Sequence, residues 1–295
     1  MQQSAVLTVF MPLVIVIIML GLGLSLTVAD FRKVLARPKP VIVALVCQTL
    51  VLPVVCFGIV QAMALPPALA VGMMLLAASP GGTSASLYSH LAGGDVALNI
   101  IVTAINSVLV VVTLPIIVNF SLVAFYGEGM VIPLQFSQIL LFLGLVVVPA
   151  IIGMVVRRGY PELADRMERP VKILSLVFVV VLVLVAVARE WNTLLTWGPV
   201  VGLAVLAFNL VSMAVGYWVP RFFNLDERQS IAICMEIGLH NAVLVITIAL
   251  SRDLLNNPEM AIPPALYGLV AYITAAILIA WMKRRPRAAV SSIQP

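Results

Sequence analysis

Nine apolar runs, each close to the length of a membrane-spanning helix, divide this 295-residue sequence, and the longest connection between them is about 158–169. The runs cover roughly 5–27, 40–62, 67–93, 95–124, 133–157, 170–189, 193–219, 227–252 and 260–283. About 20 apolar residues carry an α-helix across a bilayer. Inside hydrocarbon every backbone N–H and C=O needs a partner within the protein, which leaves helices and closed barrels. Barrel strands would alternate polar and apolar over about ten residues, and these runs do not. The expectation is an all-α integral membrane protein: one polytopic domain over 1–295 with nine transmembrane helices. Composition agrees, with 63% hydrophobic and 10% charged residues, against roughly 25% charged in soluble domains. The first run lacks a preceding positive charge and is too long for a cleaved signal core, so it reads as a retained span.

The net charge of +5 does not point to nucleic acid, because the basic residues sit in short loops between apolar runs. Of the 17 Lys and Arg residues, all except Arg189 and Arg252 fall after runs 1, 5, 7 and 9. The positive-inside rule then places the N-terminus outside and the tail 284–295 in the cytoplasm of a cell whose inner, plasma membrane holds the protein. An even number of spans would scramble this alternation.

Two runs are interrupted. Run 3 carries Ser79-Pro80-Gly81-Gly82-Thr83-Ser84-Ala85-Ser86, and run 8 carries Glu236-Ile237-Gly238-Leu239-His240-Asn241. Proline lacks an amide donor and glycine permits non-helical backbone. Unwound backbone at membrane depth is tolerated only within protein or beside a water-filled cavity, and a matched pair of interrupted helices points to a transporter binding site. The breaks, near 79–86 and 236–241, each fall in the third span of a four-span unit, 5–124 and 170–283. Run 5 (133–157) links the units, so the offset of five spans inverts the second relative to the first. No residue-level identity between the halves is evident.

Glu236 lies in the middle of an apolar run. A carboxylate at bilayer depth is costly and marks an ion or substrate pathway. Broken helices expose carbonyls that suit a cation and amides that suit an anion. Glu236 can supply charged oxygens to a hard cation such as sodium, while Thr103, Ser86, Asn99 and Gln48 can supply neutral ones. His240 is either a structural hydrogen-bonder or a proton-binding or ligand group. Asp95 reads as the N-cap of run 4. The three cysteines, Cys47, Cys56 and Cys234, read as apolar packing residues. No metalloprotease run or nucleophile elbow is present, which argues against an enzyme, and no organic cofactor is expected.

At these residues the chain resembles the bile acid:sodium symporter family, in its bacterial type. The resemblance is carried by Gly21-Leu22-Gly23-Leu24-Ser25-Leu26 with Asp30-Phe31, Gln48 with Pro53, Ser79-Pro80-Gly81-Gly82-Thr83, Gly94-Asp95-Val96-Ala97-Leu98 with Thr103, and Glu236 to Asn241. It implies core and panel domains built from inverted repeats, with two broken helices crossing in the core, and inward sodium flow coupled to organic anion uptake by alternating access. It further implies sodium at Glu236, Gln48 and Thr103. The position usually Gln in the family is His240, its Ser-Asn pair becomes Ala85-Ser86, and its serine four residues before Thr103 becomes Asn99. Thr83 and Asn241 match cavity-facing positions, and Ser84 beside Thr83 joins them as a substrate candidate. Ala271-Tyr272 stands where bile-acid-binding bacterial relatives carry His-Asn, so a small pantoate-like carboxylate fits as well as a bile acid. The rivals are proton coupling through Glu236 and His240, and a non-transporting membrane sensor of the same fold.

Overall fold

The computed structural model describes residues 38–127 apart from Thr83, residues 191–284 apart from Arg252 and Asp253, and parts of 16–27 and 148–177. The expected spans 5–27, 133–157 and 170–189 therefore lie wholly or largely outside the described residues, as does the end of the tail. Four of the described helices are long and apolar enough to cross a bilayer: Pro38–Ala62, Val96–Tyr126, Leu195–Phe222 and Glu259–Met282. Among the described residues there is no strand beyond one isolated bridge. Residues 161–167, inside the expected connection 158–169, are helical.

Helix α1 (Pro38–Ala62) is long, and its middle turn, Cys47–Val51, is π-helical. Leu52 N–H reaches back to Cys47 C=O. Pro53 follows at once and has no amide hydrogen for an ordinary helical bond. The widened turn buries Gln48, and such π-turns often mark functional positions.

Helix α2 (Pro67–Ala78) opens on proline, which suits a first helical position. It buries the next eleven residues, Ala68 to Ala78. Ser79 is extended (φ −74°, ψ 152°), as expected before Pro80. The chain turns helical again at α3 (Ala85–Ala92), which Gly93 ends with φ 80°. Helix α4 (Val96–Tyr126) follows, and Asp95 Oδ1 accepts from Leu98 N–H at 3.1 Å, the N-cap that the sequence indicates.

The second described half begins with α5 (Trp191–Phe222). Helix α6 (Glu227–Gly238) starts from a capping box formed by Asp226 and Gln229. After a short break comes α7 (Ala242–Leu250), capped by Asn241 Oδ1 accepting from Leu244 N–H at 3.1 Å. A 3₁₀ turn, Glu259–Ala261, leads into α8 (Ile262–Arg284). Helices α2 and α6 are 12 residues each, so each reaches only about 18 Å at 1.5 Å per residue, well short of a hydrocarbon core of roughly 30 Å. Both stop inside the protein, and one continuous buried cluster surrounds their ends.

Candidate functional site: the crossing of two broken helices

The chain between α2 and α3 meets the chain between α6 and α7 as a minimal antiparallel pair, with Gly81 opposite His240. Gly82 N–H donates to Leu239 C=O at 2.5 Å, and Asn241 N–H donates to Pro80 C=O at 2.9 Å. Pro80 contributes only its carbonyl, so its missing amide hydrogen leaves no ladder bond unmade. Backbone released by each break is thus satisfied by the other, as burial at this depth requires. The second break is narrower than the sequence suggests: α6 runs through Gly238, so Glu236 is helical and only Leu239 to Asn241 are unwound. The first break likewise ends at Ser84, and Ser86 lies in the first turn of α3.

Two polar clusters flank the bridge. On the α4 side, the fully buried Glu236 accepts a hydrogen bond from Thr103 Oγ1 at Oε2, at 2.6 Å. One turn away on both helices, Asn99 Nδ2 donates to Ala232 C=O at 3.0 Å. The four-residue spacing of Asn99 and Thr103 on α4 therefore matches that of Ala232 and Glu236 on α6. The Asn99 side chain and the Gly81 amide also face the carboxylate, yet Glu236 Oε1 and Asn99 Oδ1 are buried without a hydrogen-bond partner. Gly81 fits here because it has no side chain: a Cβ would overlap the carboxylate.

On the α1 side, Gln48 Nε2 donates to Ser79 C=O at 2.7 Å and lies 3.2 Å from His240 Nδ1. The His240 ring stacks on Phe208, centroids 5.3 Å apart, and meets Tyr267 at a steep angle at 5.4 Å. Among the described residues no ion pair or hydrogen bond joins Glu236 to His240; they belong to different clusters.

Three residues that the sequence reading passed over complete the crossing. Asn209 Nδ2 and Tyr267 Oη both donate to Gly238 C=O at 2.9 Å, and Thr274 Oγ1 donates to Asn209 Oδ1 at 2.5 Å. The last carbonyl of α6, two residues after Glu236, is held by α5 and α8. The available signal was the one that exposed Glu236: polar residues in otherwise apolar runs.

The substrate candidates are dispersed. Asn241 is buried, with its Oδ1 committed to capping α7. Ser84 Oγ donates to Tyr272 Oη at 3.1 Å, and Tyr272 stacks on Tyr88 at 5.7 Å. Thr83 lies outside the described residues.

The site is thus a set of oxygens at a helix crossing, with no group of three His, Cys, Asp or Glu side chains among the described residues that could hold a transition metal. The sequence model of the Sodium Bile acid symporter family matches residues 12–197, well over half of the chain. The chain belongs to the sodium bile acid symporter family. Its similarity to individual members of that family is distant but long. An uncharacterized sodium-dependent transporter of Bacillus subtilis, YocS, is 26% identical over 282 residues, covering 96% of this chain and 84% of YocS. A probable chloroplastic sodium/metabolite cotransporter of Arabidopsis thaliana, BASS1, is 26% identical over 265 residues, 90% of this chain. Human sodium/bile acid cotransporter 4 is 28% identical over 277 residues, 92% of this chain. The chain spans 64% of BASS1 and 63% of the human protein, under two thirds of the length of each. Membership of this symporter family, together with the long apolar helices, makes it a membrane transport protein.

Proposed function

We propose that the chain is a secondary active transporter that imports an organic anion, coupled to sodium, by alternating access. The observation that carries this reading is the buried Glu236, with Oε2 held by Thr103, Oε1 without a hydrogen-bond partner, and the buried Asn99, whose Oδ1 is also unpartnered, one turn from Thr103 on α4. An unengaged carboxylate oxygen and an unengaged amide oxygen suit a small hard cation, which the unwound regions of transporters bind with oxygens. A sodium ion held by Glu236, Thr103 and Asn99 would tie α6 to α4 and neutralise the acid. The names of the relatives, sodium-dependent transporter and sodium cotransporters of a metabolite or bile acid, support the same reading. A bile acid-like molecule and a small carboxylate are the substrate classes proposed.

An inverted repeat with core and panel domains belongs to this proposal. It is supported by the equal lengths of α2 and α6, by the antiparallel sense of the bridge, and by a parallel pair of contacts. Gln48 donates to Ser79 C=O and Asn209 to Gly238 C=O; each is a carboxamide on a long span, bonded to the carbonyl two residues before a bridge residue. A multi-pass protein with its N-terminus outside and basic tail in the cytoplasm completes the proposal. The proton-coupled reading, with Glu236 and His240 sharing one site, gains no support from their separate hydrogen-bond clusters.

The test is uptake of candidate carboxylates into proteoliposomes with an inward sodium gradient, preceded by a thermal-shift screen of organic anions in sodium or choline chloride, since a bound ligand raises apparent stability by mass action. Equal uptake in sodium, potassium and choline would reject sodium coupling.

A further inference from the structure

Tyr272 lies about midway along the span Glu259–Met282 and keeps 44% of its surface exposed. Lipid offers a phenol hydroxyl no partner at that depth, and tyrosines that face lipid gather at the membrane interfaces instead. The Tyr272 hydroxyl meets Ser84 Oγ at 3.1 Å, immediately before α3 and after the first break, and Ser84 is itself only partly buried. Partly exposed hydroxyls beside unwound backbone at mid-depth mark a face that opens to a water-filled cavity.

The groups on that face select for a particular chemistry. Ser84 and Tyr272 carry one hydroxyl hydrogen each, and their mutual bond uses one of the two. The other is left to donate, and among the described residues no acceptor takes it. Tyr88 on α3 covers one face of the Tyr272 ring, with centroids 5.7 Å apart and planes 27° apart. The exposed remainder of the ring can take a further planar ring in an offset stack. All 17 Lys and Arg residues lie in loops or at the ends of apolar runs. At this depth an anion therefore meets neutral donors and no cationic side chain. One negative charge held by hydroxyls is the most that such a surface accommodates, since each further charge is stripped of water with nothing to pair it.

We propose that the hydroxyls of Ser84 and Tyr272 and the rings of Tyr88 and Tyr272 form the substrate subsite, and that the substrate class is a small aromatic monocarboxylate. The carboxylate accepts the spare hydroxyl hydrogen, and the aromatic ring continues the tyrosine stack. This rests on the anion-importing reading above and narrows its substrate classes. Tyr272 carries both halves of the recognition, so its ring and its hydroxyl can be removed separately.

The experiment is equilibrium binding of radioactive benzoate to the purified full-length protein in detergent, with displacement by cyclohexanecarboxylate, phthalate or taurocholate, each in sodium and in choline chloride. In sodium, benzoate should bind about two- to tenfold tighter than cyclohexanecarboxylate, which lacks the aromatic ring. Phthalate, with its second charge, should fail to displace it. Tyr272→Leu should erase the preference for benzoate over cyclohexanecarboxylate. Tyr272→Phe should keep that preference and weaken both acids about tenfold or more. No binding of benzoate, equal affinity for the two acids on the wild type, or tighter binding of taurocholate than of benzoate would overturn the inference and leave sodium-coupled anion transport standing. Benzoate affinity unchanged in choline would count against sodium coupling and not against the subsite. If neither variant folds, the ratio of benzoate to cyclohexanecarboxylate affinity on the wild type still decides.

Discussion

Gly81 lies so close to the Glu236 carboxylate that a Cβ on residue 81 would fall among the carboxylate atoms. The first break and the buried acid of the second half therefore occupy one space, and the geometry of each depends on the other. Gly81→Ala forces the acid out of contact with Thr103 or pushes the breaks apart. Overpacking of this kind costs about 1–3 kcal/mol. A lower melting temperature is expected, together with loss of sodium-dependent stabilisation. Wild-type sodium response in this variant would separate the carboxylate from cation binding.

Thr103 should tune cation affinity more than fold. Thr103→Val keeps the shape and removes the hydroxyl that bonds Glu236 Oε2. A hydrogen bond to a charged group is worth about 1.5–3 kcal/mol, and about 1.4 kcal/mol is a factor of ten in affinity. Sodium activation of uptake should shift to concentrations at least roughly tenfold higher. Thr103→Ser, which keeps the oxygen, should retain most of the affinity. The comparison uses the half-saturating sodium concentration at fixed substrate.

Glu236→Gln tests whether the carboxylate is functional or structural. The amide is nearly isosteric, so size-exclusion behaviour and expression should survive. Sodium-dependent stabilisation should vanish, because the only formally charged oxygen pair of the proposed cation set is lost. A variant that aggregates instead would indicate that Glu236 serves the fold.

The Asn209, Tyr267 and Thr274 network should behave as one unit. Tyr267→Phe leaves Gly238 C=O with the Asn209 donor and should cost about 1 kcal/mol. Asn209→Ala strips one donor from that carbonyl and leaves the Thr274 hydroxyl only its own helix carbonyls, Val270 C=O and Ala271 C=O, costing about 1–3 kcal/mol. The double variant should lose more than the sum, since only then is the buried Gly238 C=O left without either side-chain donor. Thermal melting of the three purified variants measures this, and strict additivity would count against a shared role.

Asn241 has two candidate roles that substitution can separate. Asn241→Ala removes the α7 cap, at about 0.5–2 kcal/mol. Asn241→Asp keeps the capping oxygen and replaces the amide with a negative charge. If Asn241 only caps α7, the Asp variant melts near the wild type and transports normally. If its amide meets the substrate anion, the Asp variant stays folded and loses uptake.

Much of the fold was legible because the bilayer is an exacting solvent. The expected spans 40–62, 95–124, 193–219 and 260–283 correspond to α1, α4, α5 and the stretch Glu259–Met282, with ends shifted by a few residues. Both breaks were visible, since proline and glycine interrupt a helix whatever surrounds them. Their limits were not, because a helix end is set by which neighbour takes up the freed carbonyls. Gly238 remains helical because Asn209 and Tyr267 receive its C=O, and neither residue is near it in sequence.

Sequence alone determined that the chain is helical, that it lives in a membrane, and that a carboxylate is placed where hydrocarbon would not tolerate it unpartnered. Those properties follow from local composition and from the cost of unpaired polar groups in lipid. Only the tertiary structure decided who the partners are. Thr103 reaches Glu236 across 133 positions of sequence, while His240, four residues from Glu236, belongs with Gln48, 192 positions away. The physical reason is the break itself: once the helix stops at Gly238, positions four apart no longer share a face, and the crossing rather than the spacing sets each side chain's neighbours.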